Sequence, residues 1–186
     1  VRDGDKEYLD IVKEGNEKVL KARFADAEFY YEKDLEYSMA ARINKLDGIV
    51  FREELGTMLD KVNRIEELVS WLGTELKITE ETLAQAERTA HLCKADLGSH
   101  MVREFPELQG IMGKVYAQIE NEAEIVCDAI AQHYRPQYSD DDLPETMPAV
   151  LVSIADKIDT LVGCFGIGLI PTGSEDPYGL RRSAIG

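Results

Sequence analysis

Asp156 and Asp159 lie one helical step of three apart, so their carboxylates share one side of a helix. Two acids so placed can share a metal ion or accept a lysine ammonium. Further along stands the doublet Arg181-Arg182, whose planar forks suit phosphate oxygens. Between them run Gly163, Gly166 and Gly168, where close backbone approach is cheap, and then Pro171-Thr172-Gly173-Ser174, which reads as a turn. Asp176-Pro177 reads as the N-cap and first residue of the helix bearing the doublet. Earlier in the chain, Lys61 and Arg64 sit together on another helix face, with Asp60 four residues before Arg64. A surface pair of that kind contributes only about 0.3–0.5 kcal/mol.

Other chemistries lack their residues. Gly168–Ser174 resembles a phosphate loop only in its glycines: it has no lysine, and it follows a helix rather than a strand. Ser70, Ser99, Ser153 and Ser174 have no nucleophile-elbow context. His91, His100 and His133 show no H-E-x-x-H spacing and read as surface or supporting histidines, not metal ligands. Cys93, Cys127 and Cys164 form no C-x-x-C pair, which points to free buried thiols in a reducing, cytoplasmic setting.

Helices must position these groups. Leu151, Ile154, Ile158, Leu161 and Phe165 recur at steps of three and four, which predicts a buried stripe on the helix of Asp156. Phe51, Leu55, Met58, Val62, Ile65, Val69 and Leu72 predict one continuous helix over 51–72. Thr79 is a good N-cap for a helix burying Leu83, Ala86, Ala90, Cys93 and Leu97. From Pro106, the positions Leu108, Met112, Val115, Ile119, Ala123, Val126 and Ile130 predict another. Leu20, Phe24, Ala27 and Tyr31 predict a helix from Asn16, after a polar junction over 1–15. Arg42 and Lys45 read as a solvated face. Strands are hardly visible, so residues 16–186 read as one all-α domain within a longer chain.

With 186 residues and 44% hydrophobic content, the chain can bury a proper core. No apolar run approaches the roughly 20 residues a bilayer needs, and the opening residues predict no signal peptide, so no membrane partner is expected. The net charge of −15 argues against a general nucleic-acid surface. The charge is uneven, however: Glu120–Glu145 is acidic, with Arg135 its only base, while basic residues cluster elsewhere.

Three helices, carrying Gly56, then T-A-H-L-C-K-A-D-L (89–97), then A-D-K-I-D (155–159), resemble the HD superfamily. Its metal-binding His-Asp doublet would fall on Cys93 and Lys94, and its final aspartate on Asp156. A lysine there supplies positive charge in place of a ligand, so the resemblance implies an HD-like helical bundle with a degenerate, metal-free site. The segments E-E-L-G-T-M-L-D-K-V-N-R-I (53–65), L-C-K-A-D-L (92–97), M-V-R-E-F-P-E-L-Q-G-I-M-G (101–113) and A-D-K-I-D-T-L-V-G-C-F-G-I-G-L-I-P-T-G-S-E-D-P-Y-G-L-R-R (155–182) are more specific. Together they are similar to the beta subunit of bacterial heterotetrameric glycyl-tRNA synthetase.

That resemblance implies a non-catalytic part of an ATP-dependent glycine–tRNA ligase. Its partners would be tRNA(Gly) and the alpha subunit of an alpha2beta2 assembly. Glycine activation, with ATP and Mg, would sit on the alpha subunit; this segment would need no cofactor. If the helices pack as in HD domains, Lys61, Arg64, Lys94, Arg181 and Arg182 gather near the degenerate pocket and hold the tRNA acceptor end. Thr172 and Ser174 would add loop contacts, and Tyr178 would be a base platform. The alternatives are a residual HD phosphohydrolase using Asp156, Asp159 and a histidine, or a module that only joins subunits or domains.

Overall fold

The computed structural model describes residues 8–138, 140–172, 176 and 179–185. Among them are α1 (Leu9–Leu35), α2 (Met39–Lys45), β1 (Val50–Arg52), β2 (Gly56–Thr57), α3 (Met58–Glu75) and α4 (Glu80–Leu92). There follow α5 (His100–Glu104), α6 (Ile111–Ile119), α7 (Glu124–Gln132), α8 (Met147–Gly166) and α9 (Leu180–Ile185). The chain is mainly α-helical; its one sheet among these residues is the antiparallel pair β1–β2.

Caps decide where several helices begin. Thr57 accepts a hydrogen bond from Asp60 N, and the Asp60 carboxylate accepts one from Thr57 N, a reciprocal box that starts α3 at Met58. Gly56, at φ +82°, makes the preceding turn. The predicted helix over 51–72 is therefore cut: Phe51 and Leu55 belong to the β1–β2 hairpin region. Asp60 serves as this cap rather than as the partner of Arg64. Thr79 caps α4 as predicted, and Thr146 caps α8. The helix expected from Pro106 is broken into a 3-10 turn, α6 and α7 by positive φ at Gly110 and Asn121.

Two apolar clusters form the core. Met39, Ile43, Leu92, Met101, Met112, Tyr116, Val126 and Ile130 build one between α2 and α4–α7. Ile65, Val69, Ala86, Ala90, Cys93, Leu151, Val152 and Ala155 build the other where α3, α4 and α8 meet. Each buried large aliphatic side chain contributes about 1.5–3 kcal/mol.

Three expected faces are corrected. α1 starts at Leu9, and only its C-terminal part packs: Ala27 and Tyr31 meet the core while Leu20 and Phe24 are exposed. Arg42 is buried, with its guanidinium over the Tyr116 ring at 3.8 Å and donating to the Asp34 carbonyl. On α8 the buried face is Leu151, Val152, Ala155, Asp159 and Cys164, whereas Ile154, Ile158 and Phe165 face outward. The helix is apolar on two sides, so periodicity alone chose the wrong one.

Candidate functional site

α3, the turn after α4, and α8 bring a set of charged side chains to one point. α8 projects Asp156 and Asp159; α3 projects Lys61 and Arg64; Lys94 follows the end of α4. Lys94 Nζ donates to Asp156 Oδ2 at 2.8 Å and to His133 Nε2 at 2.9 Å, and lies 3.8 Å from the centre of the Tyr134 ring. Lys61 Nζ donates to Asp159 Oδ2 at 2.9 Å and Thr160 Oγ1 at 2.8 Å. It also sits 2.9 Å from Asp156 Oδ1, an ion pair without hydrogen-bond alignment. Arg64 Nε donates to Asp159 Oδ1 at 2.5 Å and its Nη1 to the Leu55 carbonyl at 3.0 Å.

The electrostatics follow from this arrangement. Burial works to raise the Asp156 pKa, but the Lys94 and Lys61 ammonium groups outweigh it and hold the carboxyl far below its usual range. His133 is wholly buried. Burial, and then the Lys94 charge, lower its pKa to about 3, so it is neutral. Its Nδ1 donates to the Ile130 carbonyl at 2.6 Å, which leaves Nε2 as the acceptor for Lys94. Burial pushes the Cys93 thiol up to about 12. A thiol so disfavoured as thiolate is a packing group, not a nucleophile.

The donor set for a cation is thus occupied by cations. Two carboxylates and an imidazole converge, but two ammonium nitrogens stand within 2.9 Å of their ligand atoms. A divalent ion at the same place would meet like charge at contact distance. Among the described residues no group of three or more His, Cys, Asp or Glu is arranged to hold a metal.

Over this charged floor opens a polar cleft of about 410 Å³, lined among others by Gln109, Tyr134, Asp156, Lys157, Thr160 and Arg182. Lys157 Nζ donates to the Arg135 carbonyl at 2.7 Å and Ser153 Oγ at 2.6 Å, and burial lowers its pKa. Asp176 accepts from Leu180 N at 2.8 Å and Arg181 N at 2.9 Å, fixing the start of α9. Arg182 Nη1 donates to the Gln137 carbonyl at 2.7 Å, and Arg181 donates to the Thr172 carbonyl; both arginines are exposed.

Of the residues singled out from sequence, Lys61, Arg64, Lys94 and Asp156 converge, and Asp156 and Arg182 both line the cleft. Ser174 and Tyr178 lie outside the described residues. Sequence reading missed His133, Tyr134 and Lys157. Lys157 stood next to Asp156, and that was the one available signal; His133 reaches Lys94 only across 39 positions of chain.

The fold and site define a class: a helical domain whose buried carboxylates are neutralised by lysines from a neighbouring helix and turn. Residues 1–186 match the family model described as glycyl-tRNA synthetase beta subunit. The glycine–tRNA ligase beta subunit of Moorella thermoacetica is 51% identical over 186 residues, covering 100% of this chain and 27% of that protein. The Synechocystis one is 48% identical over 184 residues (99% and 26%), and the Bacillus subtilis one 47% over 186 (100% and 27%). The chain belongs to the glycyl-tRNA synthetase beta subunit family. It spans about a quarter of the length of these relatives. Among the described residues no helix is long and apolar enough to cross a membrane.

Proposed function

We propose that this segment is an HD-like, non-catalytic tRNA-holding part of a cytoplasmic glycyl-tRNA synthetase. It positions the acceptor end of tRNA(Gly) for glycylation by the alpha subunit, where ATP and Mg serve glycine activation. The observation that supports this reading is the polar cleft with Arg182 and Lys157 in its wall and the exposed Arg181 beside it. The acids beneath are cancelled internally by Lys61, Lys94 and Arg64, so they repel an incoming phosphate less than the net charge of −15 implies. Buried ammonium groups whose donors are already engaged reach no phosphate. The direct contacts fall instead to the exposed guanidinium groups of Arg181 and Arg182, and Thr172, Ser174 and Tyr178 are proposed as further contacts. Lys61, Arg64 and Lys94 act by fixing its floor. A residual hydrolase would need Asp156 and Asp159 available to a cation, and both are engaged.

The test is Arg181→Ala/Arg182→Ala in the intact synthetase, after a melting curve shows that it folds. Aminoacylation is expected to fall while tRNA-independent glycyl-adenylate formation is kept. The slope of log K for tRNA against log salt should drop by roughly 0.7–0.9 for each phosphate no longer neutralised. Equal losses in both reactions, or no change in either, refute the reading in favour of a purely structural module.

A further inference from the structure

The outward stripe of α8 has no covering among the described residues. Ile154, Ile158, Val162 and Phe165 follow at steps of four, four and three, and Val162 is 66% exposed. α3 lies alongside with Trp71, 59% exposed, and Leu68. Between the two helices runs a groove of about 650 Å³ whose walls include Leu55, Leu68, Trp71, Ile158 and Val162. Gly163 lets Leu55 close one side of it, because a Cβ there would stand 2.9 Å from Leu55 Cδ1. The rim is acidic. Glu54 and Glu67 are exposed at the groove, and the Arg64 charge is engaged by Asp159. An exposed apolar strip of this kind, rimmed by charge, marks a contact surface.

The occupant follows from shape, charge and chain length. A groove between two near-neighbour helices takes a third helix, apolar at i, i+3, i+4 and i+7. A second copy of this segment would bring another acidic rim and a second net charge of −15, and like charges across an interface are repelled. About three-quarters of a relative's length lies outside the matched segment. A stretch tethered on the same polypeptide reaches a local concentration on the order of millimolar.

We propose that the α3–α8 groove docks an amphipathic helix from the remainder of the same beta-subunit chain. That helix carries an apolar face against Trp71, Ile158 and Val162, with lysine or arginine opposite Glu54 and Glu67.

The test uses the full-length beta subunit, alone and assembled with the alpha subunit. A benzophenone amino acid replaces Val162, and cross-linked peptides are identified by mass spectrometry after irradiation. The expected product in both preparations is an intrachain cross-link to a peptide outside residues 1–186 that carries an apolar stripe flanked by Lys or Arg. Its yield should fall in Glu54→Lys/Glu67→Lys. A Val162→Cys thiol should also react with a bulky maleimide roughly tenfold more slowly than Glu81→Cys on an exposed helix start, as burial in an interface core requires. Cross-links only to the alpha subunit, to a second beta subunit or to tRNA overturn the proposal. So does the absence of a cross-link, or equal thiol reactivity at the two positions.

Discussion

Asp34 and Asp156 are both carboxylates taken out of water, but different donors hold them. Asp34 accepts from His100 N and His100 Nδ1 at 2.8 Å and from Met101 N and Tyr116 Oη at 2.9 Å. It is a bracket from the end of α1 to the first turn of α5. Burial alone would raise its pKa, and those hydrogen bonds, the His100 and Met101 amides first, lower it instead. Asp156 depends on whole charges, Lys94 from the turn after α4 and Lys61 from α3, more than sixty positions away. Backbone donors are fixed by the fold and stay dipolar when the acid is removed. An ammonium deprived of its acid is an uncompensated buried charge. The first arrangement tolerates damage; the second does not.

The largest effect should therefore come from Asp156→Ala, which leaves Lys94 buried against only His133 and Tyr134. A loss of about 3–5 kcal/mol is expected in denaturant unfolding. Asp156→Leu/Lys94→Met removes both members of the pair and should recover much of that loss. If the double variant is no better than the single one, the pair is not the source of the effect.

Asp34→Asn should cost less, about 1–3 kcal/mol, since its NH2 replaces one accepting oxygen and leaves the His100 or Met101 backbone N–H without an acceptor, but no ion is stranded. Equal destabilisation by Asp34→Asn and Asp156→Ala in the same unfolding experiment would erase the distinction between the two sites.

A pH slope gives the third test, and between pH 6 and 4 it belongs to His133 at the Asp156 site. His133 falls from an ordinary 6.5 to about 3 in the fold. Above pH 6.5 it is neutral in both states and its contribution is complete. As pH drops from there toward 3, the unfolded chain binds a proton that the folded one refuses, and stability is lost. The cost is about 1.4 kcal/mol per pH unit at most. Between pH 6 and 4, wild type should lose stability more steeply than His133→Gln by about that amount. Parallel slopes would mean that His133 is protonated in the folded protein.

Period and capping in the sequence were enough for the all-helical class, the start of α4 at Thr79, and the burial of Ala86, Ala90, Cys93, Val62, Ile65 and Val69. These are local properties: a cap needs three residues, and a stripe repeats every turn. The motif segments carried the family for the same reason, since they are contiguous. The tertiary structure decided what local pattern leaves open. α8 is apolar on two sides, and its neighbours, α3, α4 and α7 among them, determine that Leu151, Val152 and Ala155 go inward while Ile154, Ile158 and Phe165 stay out. Arg42 and Lys45 share a helical pattern, but only Arg42 finds Tyr116 and the Asp34 carbonyl to bury against. Lys61, Arg64, Lys94, Asp156 and Asp159 were visible one by one at the candidate site, but not their engagement. Lys94 meets Asp156 across 62 positions, Lys61 meets Asp159 across 98, and His133 fills the remaining side. A charge in sequence is a ligand, a counter-ion or a solvated tip according to which other charge folding brings within 3 Å, and that distance is set by helix packing far from either residue.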